Sequence, residues 1–320
     1  MLNLVRNESM KITRSIGTWI MAIILILVLV GVGFIIKSVD TKPNDPDWKT
    51  TLTQQNEQFK KSQAEMKNID SSSDKSLDRT IKTNEYRIAH DLAPSNAPTL
   101  WAYVGSIQIL QISVFLITLF SVIIGGGIVA NEFSQGTIKL LLIRPSKRWK
   151  ILLSKYITVL LYSLVMLIIS FTVSFIVAAI LFSFKGLGEP YLNYNNGVVT
   201  EVNMFLHTFS IYGYACIRLV MMVTFAFAIS SLFRSSSMAI GLSVFLMFAG
   251  NIIITALIGF GKENIAKYIL FANTDLTQYT SGSPLINGMT MQFSITVLIV
   301  YFVAFNLISF LGFTKRDVAA

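Results

Sequence analysis

The chain has 320 residues, of which 53% are hydrophobic and only 13% charged. Soluble domains carry charge at roughly a quarter of their positions, so a soluble globular fold is excluded. The net charge of +9 is the signature of membrane orientation and of attraction to anionic lipid, and no nucleic-acid partner is needed to explain it. A single cysteine, Cys216, excludes an internal disulfide framework and a cysteine metal site, and His90 and His207 are read as surface or interfacial residues rather than ligands.

In chain order, residues 1–17 predict an amphipathic interfacial helix. Leu2, Val5, Ser9, Ile12 and Ile16 share one face, with Arg6, Lys11 and Arg14 elsewhere around it. Residues 18–36 form span 1, read as a retained anchor because the leader is long and no small-x-small cleavage site follows. An extracytoplasmic insert occupies 37–106, and its 37–100 part holds ten basic and ten acidic residues. There Leu52, Phe59, Met66 and Ile69 make a sparse helical seam, and Glu57–Lys61 and Asp78–Lys82 are i, i+4 pairs. With Ser71-Ser-Ser-Asp74 as cap material, the reading is a helical hairpin, against the alternative of a disordered charged loop. Trp101 is read as an interfacial aromatic.

Span 2 covers 107–130 and ends in Gly125-Gly-Gly127, read as a close-packing or bending site. A basic loop fills 131–155, and span 3 covers 156–182. Residues 183–210 read as an extracytoplasmic loop with Gly186, Gly188, Pro190 and Asn193-Tyr-Asn-Asn196. Spans 4 and 5, 211–233 and 238–259, are joined by Arg234 to Ser237, which permits only an antiparallel hairpin. Residues 260–292 are too polar to span and read as a re-entrant or loop region, dipping inward around Ala266 to Leu270. Span 6 covers 293–313 and leaves a tail at 314–320.

The expected fold is therefore an all-α integral membrane protein. It has six transmembrane helices, an N-terminal interfacial helix, a short cytoplasmic coupling helix and an extracytoplasmic helical insert between spans 1 and 2. Six spans place both ends on one side, whose segments carry twelve basic residues against three acidic ones. The short loops opposite carry only Lys185, Lys262 and Lys267 as basic residues, so both termini are expected in the cytoplasm, on a plasma membrane.

No phosphate loop, H-E-x-x-H, G-x-S-x-G or acidic pair within a span occurs, so enzymatic activity in the chain itself is not expected. The missing intramembrane carboxylates count against an ion-driven carrier.

Within the basic loop, Gly136 to Ile143 is a helix-forming segment of about two turns that stops before Pro145. It is too short to span and presents Leu140, Leu141 and Leu142 to a neighbour. Asn131-Glu132, Gly136-Thr137, those leucines, Arg144-Pro145, Arg148 and Lys155, with the closing Phe313-Thr-Lys-Arg-Asp317 and the six-span layout, resemble the permease subunit of a type 2 ABC (ATP-binding-cassette) exporter. The similarity is to bacterial members in which permease and ATPase are separate chains, as in bacitracin and sodium efflux systems.

What the resemblance implies is a translocation path formed with a second permease chain, as homo- or heterodimer, and powered by a cytoplasmic ABC ATPase subunit. ATP and magnesium would belong to that ATPase, with no cofactor or metal in this chain. The coupling residues would be Glu132, Gly136, Thr137, Leu140, Leu141, Arg144 and Arg148. Glu132 is expected to bond Arg148 or the N-terminal helix, with a solvated charge as the alternative.

The resemblance also places spans 2 and 5 along the path, making Asn251, Gln108 and Gln111 candidates for its polar part. An interhelical hydrogen bond is the alternative for Asn251. Arg218 is expected to snorkel outward, to pair with Glu201 or Glu189, or to line the path. A secondary carrier, or a membrane scaffold or sensor acting through the insert, are the alternative functions.

Overall fold

The computed structural model describes residues 1–38, 46–66, 71–94, 99–137, 147–184, 186–195, 197–280, 284–286 and 288–314. A short first helix, α1 (Leu2–Arg14), ends where Ser15 turns extended, and α2 (Ile16–Ser38) starts at once. Helix ends leave carbonyls without intrahelical partners. Here Thr18 Oγ1 donates to the Ile12 carbonyl at 2.7 Å and Trp19 Nε1 to that of Thr13 at 2.9 Å, which fixes the elbow.

Among the described residues, six helices are long and apolar enough to cross a membrane. They are α2, α6 (Ile107–Gly127) with its continuation α7 (Ala130–Ser134), α8 (Arg148–Phe182), α9 (Met204–Leu232), α10 (Ser236–Gly259) and α13 (Met291–Thr314). The most enclosed is α9, which packs on α6, α8, α10 and α13. By contrast, α2, α10 and α13 leave most of their apolar surface outward, the arrangement expected of helices that face lipid or another chain.

Close approach among α6, α8, α9 and α10 depends on the glycine triplet. A Cβ on Gly125 would lie 3.5 Å from Val159 and 3.6 Å from Ala226, and one on Gly126 would lie 3.2 Å from Ser243. The triplet is a packing site. At the terminal end of the bundle, Phe133 of α7 meets Phe313 of α13 edge-on at 6.3 Å, so the continuation of α6 and the last helix share that face.

At the opposite end, α3 (Trp48–Met66) and α4 (Ser71–Ala89) lie antiparallel, with Leu52 and Ile81 buried between them. The seam is partly polar, because Asn84 Nδ2 donates to Asn56 Oδ1 at 2.9 Å. Among the described residues no ion pair joins Glu57 to Lys61 or Asp78 to Lys82. Lys82 turns to Glu85, which also binds Lys60, and Asp78 accepts the Tyr194 hydroxyl. Asp78 is drawn to a strand 116 positions away, and Lys82 to a neighbour one turn along its own helix. Ile69 of the expected seam lies outside the described residues.

A short helix, α5 (Leu100–Val104), capped by Thr99, leads into α6. Trp101, expected at the interface, is buried there and donates to the Leu187 carbonyl at 3.2 Å. Residues 183–210 are not simply a loop. Strands β1 (Tyr191–Asn195) and β2 (Val198–Val202) form an antiparallel hairpin across Asn196-Gly197, with Gly197 at φ +85°. Asn-Gly between strand-forming runs is the usual signal of a tight hairpin, and the two short strands add detail to the stretch read as loop in an otherwise helical chain.

After α10 the chain folds inward through α11 (Glu263–Ala266), α12 (Leu270–Asn273) and a 3-10 turn at Leu276–Tyr279. Asn273 is fully buried and saturated. Its Nδ2 donates to the carbonyls of Lys267 and Ile269 at 2.8 Å each, and its Oδ1 accepts from Ser294.

Candidate functional site

A hydrocarbon core needs about 20 helical residues, and α8 has 35. Its first two turns therefore project past the apolar layer at the terminal face, which is where Lys155 sits. Lys155 is 3% exposed, yet carries two ion pairs: Nζ lies 2.9 Å from Glu8 Oε2 and 2.8 Å from Glu132 Oε1. Lys11, a turn beyond Glu8 on α1, binds both carboxylates again, at 3.1 Å each. The Glu132 carboxylate also accepts the Thr137 hydroxyl.

Two carboxylates and two ammonium groups thus form a closed, neutral square. Such a cluster is tolerable at low exposure only because every carboxylate oxygen is bonded. Burial alone would lower the Lys11 pKa, but the charges of Glu8 and Glu132 outweigh it and raise it above the ordinary lysine value.

Of the two partners expected for Glu132, the N-terminal helix is the one present, and Arg148 starts α8 as an exposed residue. Gly136 adopts φ +70°, the left-handed conformation that suits glycine, and turns the chain after α7. Leu140, Leu141 and Arg144 lie outside the described residues. Sequence reasoning missed Glu8 as a partner. Its signal was the single acid of an otherwise basic amphipathic helix. Beside the square, a cavity of about 600 Å³ opens between the α1–α2 elbow and the ends of α6, α7 and α10.

The expected path residues divide. Gln108, Gln111 and Asn251 are all exposed on the surface of the chain, and Phe115 against Phe248 at 5.8 Å shows that α6 and α10 run side by side there. Gln111 Nε2 donates to Asp275 Oδ2 at 3.3 Å, while among the described residues no side-chain hydrogen bond joins Asn251 to either glutamine.

Arg218 shares a small cavity with Gln111 and Asp275, and its facing carboxylate is Asp275 from the inward-folded segment. Of the alternatives expected for Arg218, pairing with Glu201 or Glu189 is not the one present, since Asp275 is the carboxylate near it. Glu201 accepts the Tyr86 hydroxyl at 3.3 Å, and Glu189 lies beside Arg87, whose pKa burial lowers and Glu189 raises. Asp275 was missed because the stretch holding it read as polar loop. His207, expected at a surface, is buried against the Tyr191 ring at 3.5 Å between centroids.

A family model described as a protein of unknown function, DUF2705, matches residues 78–319. The chain belongs to that family. It is 45% identical over 321 residues to YhcI, an uncharacterized protein of Bacillus subtilis (strain 168), with 100% of both chains covered. It is 33% identical over 204 residues to YdbK, an uncharacterized membrane protein of the same organism, covering 63% of this chain and 78% of YdbK. With six apolar helices of spanning length, the chain is a multi-pass membrane protein. The family match takes in Glu132 and Lys155 and begins after Glu8 and Lys11, whereas the similarity to YhcI extends over all four.

Proposed function

We propose that the chain is the permease subunit of an ATP-driven exporter, working with a second permease chain and a separate cytoplasmic ABC ATPase, with both termini in the cytoplasm. The observation that carries this reading is the Glu132–Lys155 contact of 2.8 Å. It draws together the two ends of the segment that holds Gly136 to Ile143 and ties both to α1. A short leucine-bearing segment held at both ends by a rigid base can pass a push from a partner below to α6 and α8 together. A leucine cluster flanked by Lys139, Arg144 and Lys147 suits a groove that takes apolar anchors and is steered by charge.

Gln108, Gln111 and Asn251 support the pairing of two such chains. Amides exposed on membrane helices are costly against lipid, and a facing copy would turn them toward a polar path. The test is co-purification in mild detergent with a soluble protein bearing a phosphate loop, and vanadate-sensitive transport by the complex. Leu141→Asp should leave the chain inserted and sharply reduce recovery of the ATPase. Undiminished recovery, or nucleotide hydrolysis by the purified chain alone, would overturn the reading.

A sensor acting through the insert is the second reading. It is favoured by a cavity of about 420 Å³ between α4, α5 and β1, with Arg87 and Glu189 on its wall and Trp101 and Leu192 also lining it. Ligand binding to the intact chain that is lost on substituting Arg87, with ATPase recovery unchanged, would support it.

A further inference from the structure

The cavity of about 600 Å³ at the terminal face is lined by two kinds of surface. One wall is Met21, Ile123, Ile124, Ile128 and Ile240, from α2, α6 and α10, beside the polar residues of α1 and α7. The other carries the charged square with Asn131 and Gln135, where α7 leaves the apolar layer. An opening that is apolar toward the spans and polar toward the bundle end has the shape of an amphiphile.

The hydrogen-bond inventory of the polar end decides which amphiphile. Both oxygens of Glu8 are taken, by Lys11 and Lys155, and both of Glu132, by the two lysines and Thr137. The Asn131 Oδ1 accepts the Ser236 hydroxyl. What remains for a ligand is a set of donors: the Lys11 ammonium, whose side chain is 56% exposed, the Asn131 amide NH₂ and the Gln135 amide. The carboxylate oxygens and Asn131 Oδ1 are taken while these donors are open. The square is neutral overall, each of its carboxylates is paired with both lysines, and its most exposed member is the Lys11 cation.

We propose that this cavity is a binding site for an anionic phospholipid of the leaflet on the terminal face. Its phosphate would lie against Lys11, Asn131 and Gln135, and an acyl chain along Ile123, Ile124 and Ile240. A lysine at a membrane surface contributes about 1 kcal/mol to anionic-lipid attraction, so a preference of about fivefold over a zwitterionic lipid is expected. The inference does not depend on the export reading, since the site would bind lipid with or without an ATPase.

The test is native mass spectrometry of the purified full-length chain in mild detergent, titrated with phosphatidylglycerol or phosphatidylcholine. The wild type should retain phosphatidylglycerol about fivefold better. Gln135→Glu places a negative charge at the headgroup position without touching the square, and should abolish that preference with the melting temperature unchanged. Ile123→Trp fills the apolar wall and should reduce retention of both lipids. Equal retention of the two lipids by the wild type, or a full preference kept by Gln135→Glu, would overturn the proposal. Displacement of phosphatidylglycerol by millimolar inorganic phosphate would also overturn it, by making this a site for a free anion.

Discussion

Lys155 on α8 and Glu8 on α1 stand 147 positions apart in the chain and 2.9 Å apart in space, both nearly excluded from solvent. The pair fixes α1 against the bundle. In the same square, Glu132 brings in the end of α6 through α7, so three helices are joined by one set of charges.

Lys155→Met leaves Glu8 and Glu132 with Lys11 alone, and breaking a buried pair from one side costs about 3–5 kcal/mol. A fall of that size in unfolding free energy in mild detergent is expected. The double variant Lys155→Met with Glu132→Gln should recover part of it, because one uncompensated carboxylate is then gone. A single variant that melts like the wild type would show that the square is not a structural element.

The insert answers to pH in the opposite manner to a histidine switch. Lys60, through a hydrogen bond, and Lys82 hold the Glu85 carboxyl below its ordinary value of 4.5, and burial opposes them. A group with a depressed folded pKa contributes stability that is complete above its unfolded pKa and is lost as pH falls through the folded one. Amide protection factors in α3 and α4, corrected for the intrinsic pH dependence of exchange, should therefore fall below about pH 4.5, by a margin of about 0–1 kcal/mol because these side chains are partly exposed. Glu85→Gln should exchange faster at neutral pH and lose its share of the acid response.

Gly250 is covered by the ring of Phe271, and a Cβ there would meet it at 2.2 Å. Gly250→Val should destabilise the chain by about 1–3 kcal/mol, as overpacking does, and lift α12 from α10. Gly241→Ala, on the same helix with nothing within 4 Å, is the control. It should be neutral or gain up to about 1 kcal/mol from helix propensity. Thermal melts of the two variants separate the cases.

Asp275 caps the turn at Leu276–Tyr279, since its Oδ1 accepts the Thr277 amide at 3.1 Å while its Oδ2 accepts from Gln111. Asp275→Ala should cost about 0.5–2 kcal/mol, the range for a lost cap. Because Arg218 then loses its facing carboxylate, Asp275→Asn should keep the cap and part of the stability while still perturbing Arg218. Proteolysis of the 260–290 segment in the variants would report the difference.

The six long apolar helices were legible because membrane-spanning length and hydropathy are properties of contiguous residues. The Asn-Gly turn was equally local and was overlooked beside the glycines and proline that precede it. The N-terminal helix was legible as a partner of Glu132, but Lys155, and the partners of Arg218 and Asp78, were not, for a physical reason. Glu132, Arg218 and Asp78 are each met from a distant segment, by Lys155 and Lys11, Asp275, and Tyr194 respectively. One sequence carries charge identity without distance, so Glu201 and Glu189 were as plausible for Arg218 as Asp275. The square could be anticipated only in part, because Glu8 reads as an ordinary surface acid until α1 is laid on α8.

The β hairpin ties the insert to the bundle. Helix α4 is bolted to it by Arg79 to the Tyr191 hydroxyl, Tyr86 to Glu201, and Tyr194 to Asp78, and β2 ends at Val202, one residue short of α9. The insert is thus a handle fastened to the central shaft of the bundle. It cannot swing without either tearing these three bonds or dragging the N-terminal end of α9 with it.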